Sequence, residues 1–173
     1  MENEFVLVEV ESLLFDDHTK SPVVVLKAVE GEEGWILPIW IGAFEATAMA
    51  MELENVSLPR PFTHDLMKNL ISMLGGELIQ IEIHSNVKGT YMANMVIMQN
   101  GEKKYLDARP SDSIILAMKY KAKIYANPSL LQSINPEEMK TQYQADFTIE
   151  KEPDVDLGSL LRDLRPEDFG RNE

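Results

Sequence analysis

Leu78-Ile79-Gln80-Ile81-Glu82-Ile83-His84 places three isoleucines on alternate positions with polar residues between them. That two-residue period is the pattern of a strand with one face in a core and the other outside. Outward from it the punctuation is clear. Upstream, Gly75-Gly76 ends a helix predicted over 63–74, which Thr63 is expected to cap. Downstream, Tyr91–Met98 reads as the next strand. Asn100-Gly101 is a two-residue hairpin signal leading into a return strand at Lys103–Ala108. Pro110 and Ser111 then open a helix to about Lys121, Ile124–Ala126 is a short strand, and Asn127-Pro128 starts a last helical turn.

The first half has the same punctuation. Glu4–Phe15 and Pro22–Val29 are rich in Val and Leu, and the polar turn at 16–21 between them predicts a hairpin. Trp35–Ile41 is a third strand, with one of Trp35 and Trp40 expected to face the core. Gly42 opens an Ala- and Met-rich helix to about Asn55. The fold class is therefore α+β, with a mixed or antiparallel sheet of hairpins and three main helices. Each half runs strand, strand, strand, helix, which suggests an internal βββα pseudo-repeat on topology alone.

The 173 residues carry 16 Lys plus Arg against 29 Asp plus Glu, a net charge of −13. A protein that holds nucleic acid by neutralising many phosphates normally carries a basic surface, so any polyanion chemistry here must be local. The absence of cysteine excludes disulfides, Cys-ligated metal sites and thiol nucleophiles. The longest charge-free apolar run, Gly34 to Phe44, is too short to span a bilayer, and the acidic start at Glu2 and Glu4 is unlike a secretory signal. A cytoplasmic protein with no membrane contact is expected. From Asn135 the chain turns polar and more acidic. The expected organisation is a domain at 1–134 and an acidic, partly helical tail at 135–173. Leu157, Leu160, Leu161 and Leu164 of that tail, at helical spacing, are placed either to dock on the domain or to contact a protein partner.

Three of the five arginines precede proline, and Arg60-Pro61 and Arg109-Pro110 each open a helix. A guanidinium beside the free N–H groups of a helix start suits a phosphate, so Arg60, Arg109, Thr63 and Ser111 are candidate phosphate-binding residues. Capping alone would select the same Thr, Ser and Asp residues. His64, in a first helical turn beside Asp65, is a candidate proton carrier. Asp107 ends a strand and Asp112 starts a helix. Paired carboxylates there, with His64 or Glu45 nearby, suggest a magnesium or manganese site. Glu45 and Glu52, seven apart on one helix face, read as solvated. Phosphate-loop, dinucleotide, zinc-protease and serine-hydrolase motifs are all absent.

Three runs carry a resemblance. They are Leu37-Pro38-Ile39-Trp40-Ile41-Gly42 through Glu45-Ala46, Arg60-Pro61-Phe62-Thr63-His64-Asp65-Leu66, and Asp107-Ala108-Arg109-Pro110-Ser111-Asp112-Ser113. In this order they resemble the bifunctional nuclease domain family over about residues 5–130. Ser113 stands where that family most often has alanine. The resemblance implies a nuclease that degrades DNA and RNA. Joined to the residues above, it gives a metal-dependent phosphodiesterase in which Arg60 and Arg109 bind phosphate. Asp107 and Asp112 would hold the ion, and His64 or Asp65 would manage the proton. The alternative is a non-catalytic anion- or nucleotide-binding module, or a homo-oligomeric assembly unit. Homo-oligomerisation is expected under either reading.

Overall fold

A computed structural model describes residues 5–16, 18–30, 34–133 and 144–146. Three strands come first: β1 (Val6–Asp16), β2 (Ser21–Ala28) and β3 (Trp35–Trp40), followed by α1 (Ala43–Leu53) and α2 (Thr63–Met73). Three more strands follow: β4 (Gly76–Val87), β5 (Thr90–Gln99) and β6 (Glu102–Ala108). The rest comprises α3 (Pro110–Tyr120), β7 (Lys123–Ala126), a 3-10 turn at Pro128–Leu130, β8 (Gln132–Ser133) and β9 (Gln144–Asp146). The strands form one sheet in the order β6-β5-β4-β7-β1-β2-β3-β8, with β9 pairing β1. Every pairing is antiparallel except β4 with β7. That parallel pair needs a crossover, which α3 supplies between β6 and β7 while packing on β4 and β5. The α+β class and the three main helices are as the sequence predicts.

Local chemistry explains the turns. Asn100-Gly101 has φ of 53° and 79°, and Lys88-Gly89 has 53° and 86°. Both are two-residue hairpin loops that require left-handed backbone at each position. The strand that opened the reading is modified by a bulge. Leu78 pairs with Ile97 and Gln80 with Val96, which leaves Ile79 as the extra residue. The alternation restarts after it, so Leu78, Ile81 and Ile83 are buried and Ile79 is only partly so.

The core lies between the sheet and the helices. Val24, Leu26, Leu37 and Ile39 meet Met49, Ile81, Ile114 and Ile115 there. Neighbouring residues of β2 point the other way: Val23 and Val25 join Leu14 and Ile36 in a second cluster. A strand buried on both faces explains the unbroken apolar run from Pro22 to Leu26. Helix α3 is central, burying every residue from Pro110 to Ala117 except Asp112. Helix α2 is peripheral and buries none. The two meanders β1–β3 and β4–β6 each precede a helix, but α2 has no counterpart after α3. Shared order is therefore all that the two halves display.

Two expectations need correction. Thr63 is not the N-cap of α2: Phe62 holds that place, and its backbone N–H is capped by Asp65 Oδ2 at 2.9 Å. Neither tryptophan is buried. Trp35 and Trp40 stand at the two ends of β3, 37% and 44% exposed. The strand β9 falls within the stretch expected to be tail, and the leucines from Leu157 to Leu164 lie outside the described residues.

Trp40 is held by a network at the β1–β2 turn. Asp16 Oδ2 accepts from Trp40 Nε1 at 2.8 Å and from Thr19 Oγ1 at 2.7 Å. Its Oδ1 accepts from the N–H groups of His18 at 2.9 Å and Thr19 at 3.3 Å. The Trp40 bond, followed by the others, holds the Asp16 carboxyl down at about 2, below its ordinary 3.8. A depressed carboxyl stabilises the fold above its ordinary value and loses that contribution as pH falls through its folded value. Stability should therefore drop between about pH 4 and pH 2, with a shallower drop in Asp16→Asn. Urea midpoints across that window check it. Parallel curves for the two proteins would show that Asp16 carries none of the acid sensitivity.

Candidate active site

All three helices have an acid at their third position: Glu45 in α1, Asp65 in α2 and Asp112 in α3. A carboxylate there favours the helix dipole, which explains each one singly. The packing gives them more to do. Helix α3 lies against both α1 and α2, so the first turns of the three helices meet.

At that meeting point four side chains form a chain of contacts. Arg109, the N-cap of α3, donates Nε to Asp112 Oδ2 at 2.7 Å and Nη2 to Asp112 Oδ1 at 3.0 Å. Nη2 also reaches Glu45 Oε1 at 2.9 Å. His64 Nε2 lies 3.1 Å from Asp112 Oδ1, joining residues 48 apart in sequence. Burial acts to raise the Asp112 carboxyl. The bonds from Arg109 and His64, with their charges, outweigh it and hold the group below its ordinary value. Its bond to Asp112, then the carboxylate charges around it, raise the Arg109 guanidinium further.

Because a carboxylate only accepts, Nε2 of His64 carries the proton that meets Asp112, and in the neutral tautomer Nδ1 would carry the lone pair. Nδ1 has no hydrogen-bond partner among the described residues. The His64 side chain is 13% exposed and that of Arg109 is 66% exposed. An oriented imidazole thus stands one carboxylate away from a solvent-facing cation. Glu45 reaches Arg109 by folding back over Gly42. A Cβ on Gly42 would sit 2.2 Å from Glu45 Oε2, so glycine there leaves room for the carboxylate.

A second group sits along the same helices. Lys119 Nζ bridges Asp65 Oδ1 at 2.5 Å and Glu52. Burial acts to lower the Lys119 ammonium, and the two carboxylates overcome it and raise the group. Burial likewise acts to raise Asp65, and the Lys119 and Phe62 bonds bring it below its ordinary value. This lattice fixes α2 on α3, helped by Tyr120, whose hydroxyl donates to the Lys68 carbonyl at 2.9 Å.

Three clefts adjoin these groups. One of about 420 Å³ includes Trp40, Glu45, Tyr91, Arg109 and Ser111 in its lining. An apolar one of about 450 Å³ has Phe44, Phe62 and Met67 beside His64, Arg109 and Asp112. A third, also about 450 Å³, is bordered by Pro61, His64, Asp65, Lys68 and Lys119.

The predicted residues thus divide. His64, Arg109 and Asp112 come together, with Asp65 adjacent on the Lys119 side. Ser111 is buried in the wall of the Arg109 cleft, and Thr63 is exposed at the rim of the apolar one. Arg60 is exposed between α1 and α2, with no hydrogen bond or ion pair among the described residues and no place in these clefts. Asp107 is exposed on β6, opposite Asn94, and lines none of the three.

Asp107 and Asp112 do not fit a shared divalent ion. Both Asp112 oxygens are engaged by Arg109 and His64, and Asp107 contacts neither. Among the described residues no group of three or more His, Asp or Glu could hold a metal ion.

Glu45, Glu52 and Lys119 were legible only in part. Glu45 and Glu52 are paired, not solvated. Asp112 and Lys119 show the same seven-residue spacing on α3. Lys119 meets Glu52 at one end of that spacing, while Glu45 is met by Arg109, one turn before Asp112.

Residues 24–138 match the bifunctional nuclease domain. The chain belongs to the bifunctional nuclease domain family. An uncharacterized protein of Mycobacterium tuberculosis is 33% identical over 162 residues, covering 94% of this chain and 89% of that protein. Bifunctional nuclease 1 of Arabidopsis thaliana is 28% identical over 120 residues, 68% of this chain. Bifunctional nuclease 2 of rice, Oryza sativa subsp. japonica, is 28% identical over 126 residues. The chain spans 37% and 38% of those two plant proteins. No helix among the described residues is long and apolar enough to cross a membrane.

Proposed function

We propose that this bifunctional nuclease domain hydrolyses phosphodiester bonds of nucleic acid at the Arg109–Asp112–His64 chain. The observation that carries the reading is Asp112 itself. One carboxylate binds the exposed guanidinium through two nitrogens and the imidazole through a third. The names of the plant relatives support the substrate class.

In this reading Arg109 receives a phosphate oxygen through the part of its guanidinium that Glu45 and Asp112 leave open, where the fork geometry suits phosphate. His64 Nδ1 takes the proton of the attacking hydroxyl or water as its oxygen bonds phosphorus. The P–O bond to the leaving oxygen breaks, and that oxygen takes a proton back from the imidazolium or from water. Asp112 holds the ring in that tautomer and stabilises the imidazolium that forms.

The test compares two carboxylates. Purified protein is assayed on single-stranded DNA and RNA with and without chelator, alongside Asp112→Asn and Asp107→Asn. Asp112→Asn should lose at least 100-fold in kcat, within the range general acid–base groups contribute. Asp107→Asn should stay within about threefold, since a group outside the site changes the barrier by under about 1 kcal/mol. Equal losses would return Asp107 to the site and revive a metal there. Binding of single strands without cleavage by the unaltered protein would leave an anion-binding module.

A further inference from the structure

The cleft that receives Arg109 has an aromatic wall for which the reaction above has no use. Trp40 and Tyr91 both line it. An indole 44% exposed is costly to leave in water, yet this one is fixed in place. Its Nε1 is bonded to Asp16, whose carboxylate is itself held by Thr19 and two backbone N–H groups. The ring is therefore oriented before anything binds, which removes the ordering cost a free side chain would incur. Gly89, at the tip of the β4–β5 turn, also lines the cleft with no side chain. A Cβ there would meet nothing within 4 Å, so this rim is open.

We propose that Trp40 is a stacking platform for one unpaired nucleobase of the substrate, seated beside the phosphate that Arg109 holds. The inference rests on the phosphodiesterase reading and narrows it to single-stranded or locally unpaired nucleic acid. Three observations converge on it. The cleft, about 420 Å³, has the size of a small-ligand pocket, which admits a nucleotide unit and not a duplex. A paired base hides its faces inside the stack and must leave it to meet an aromatic ring. And a chain of net charge −13 draws little from long-range phosphate attraction. Base stacking supplies affinity that does not depend on charge.

The experiment uses the full chain and two short single-stranded probes of equal length, an oligothymidylate and its abasic counterpart. They carry the same phosphates and differ only in bases. The oligothymidylate should bind at least about fivefold tighter, the lower end of what one stacked base contributes. Trp40→Ala should remove most of that difference and leave abasic binding unchanged. Trp40→Phe, which keeps an aromatic face and gives up the bond to Asp16, should retain most of it and so separates stacking from folding. In Trp35→Phe, where Trp40 is the sole indole, the oligothymidylate should quench the emission and the abasic strand should not. Equal binding of the two probes, or a difference that survives Trp40→Ala, overturns the platform. Cleavage with no base preference would sink the platform and spare the phosphodiesterase reading. Base preference without cleavage would do the reverse.

Discussion

His64→Ala should cut the rate of phosphodiester cleavage by about 10²- to 10⁴-fold, the usual contribution of a positioned acid–base group. The loss should appear in kcat with KM little changed, because Arg109 and the cleft walls remain to bind substrate. Stability should move much less. His64 lies on α2, which buries no side chain, and its bond to Asp112 is a partly exposed pair. Removing such a pair costs about 1 kcal/mol or less. A thermal melt beside the rate assay therefore separates chemistry from folding. A folded His64→Ala protein that cleaves at the original rate would remove His64 from the mechanism.

The largest effect on stability should come from Ile81→Ala. Ile81 is wholly buried in β4, between Met95 of β5 and Ile124 of β7. It lies in the cluster that includes Ile114 and Ile115 of α3. Truncating it removes three carbons and leaves a cavity that two flanking strands cannot close. The cost is about 2–5 kcal/mol. Set against a total of about 5–15 kcal/mol, that is a large share. Leu66→Ala on α2, 60% exposed, should change stability by about 0.5 kcal/mol or less. Urea midpoints for the two variants measure the contrast. A small effect at Ile81 would mean that the sheet and α3 are less tightly joined than the burial shows.

Much of this architecture could be read before the structure, because its signals are local. The two-residue Asn100-Gly101 turn, the Pro110 helix start and the Gly75-Gly76 stop each act through backbone preference within a few residues. What escaped was non-local. The bulge at Ile79 depends on register with β5, and the short strands β8 and β9 form only because β3 and β1 offer edges to pair with. The site divides the same way. His64, Arg109 and Asp112 were found because helix starts announce themselves, and Asp107 was chosen for its closeness to Asp112 along the chain. Strand β6 ends before α3 turns inward, so Asp107 stays outside while Asp112 meets its partners. Trp40 was noticed as an aromatic, but its tether to Asp16 spans 24 residues and leaves no local trace.

Helix α2 brings His64 to the site without anchoring itself in the interior. The His64 imidazole thus rides on a polar clasp, Lys119 with Asp65 and Tyr120 with Lys68, while its carboxylate partner is rooted in the middle of the molecule. The meeting of His64 with Asp112 then depends on polar contacts that the core does not enforce. On the proposed reaction, conditions that loosen this clasp should silence cleavage before the sheet unfolds.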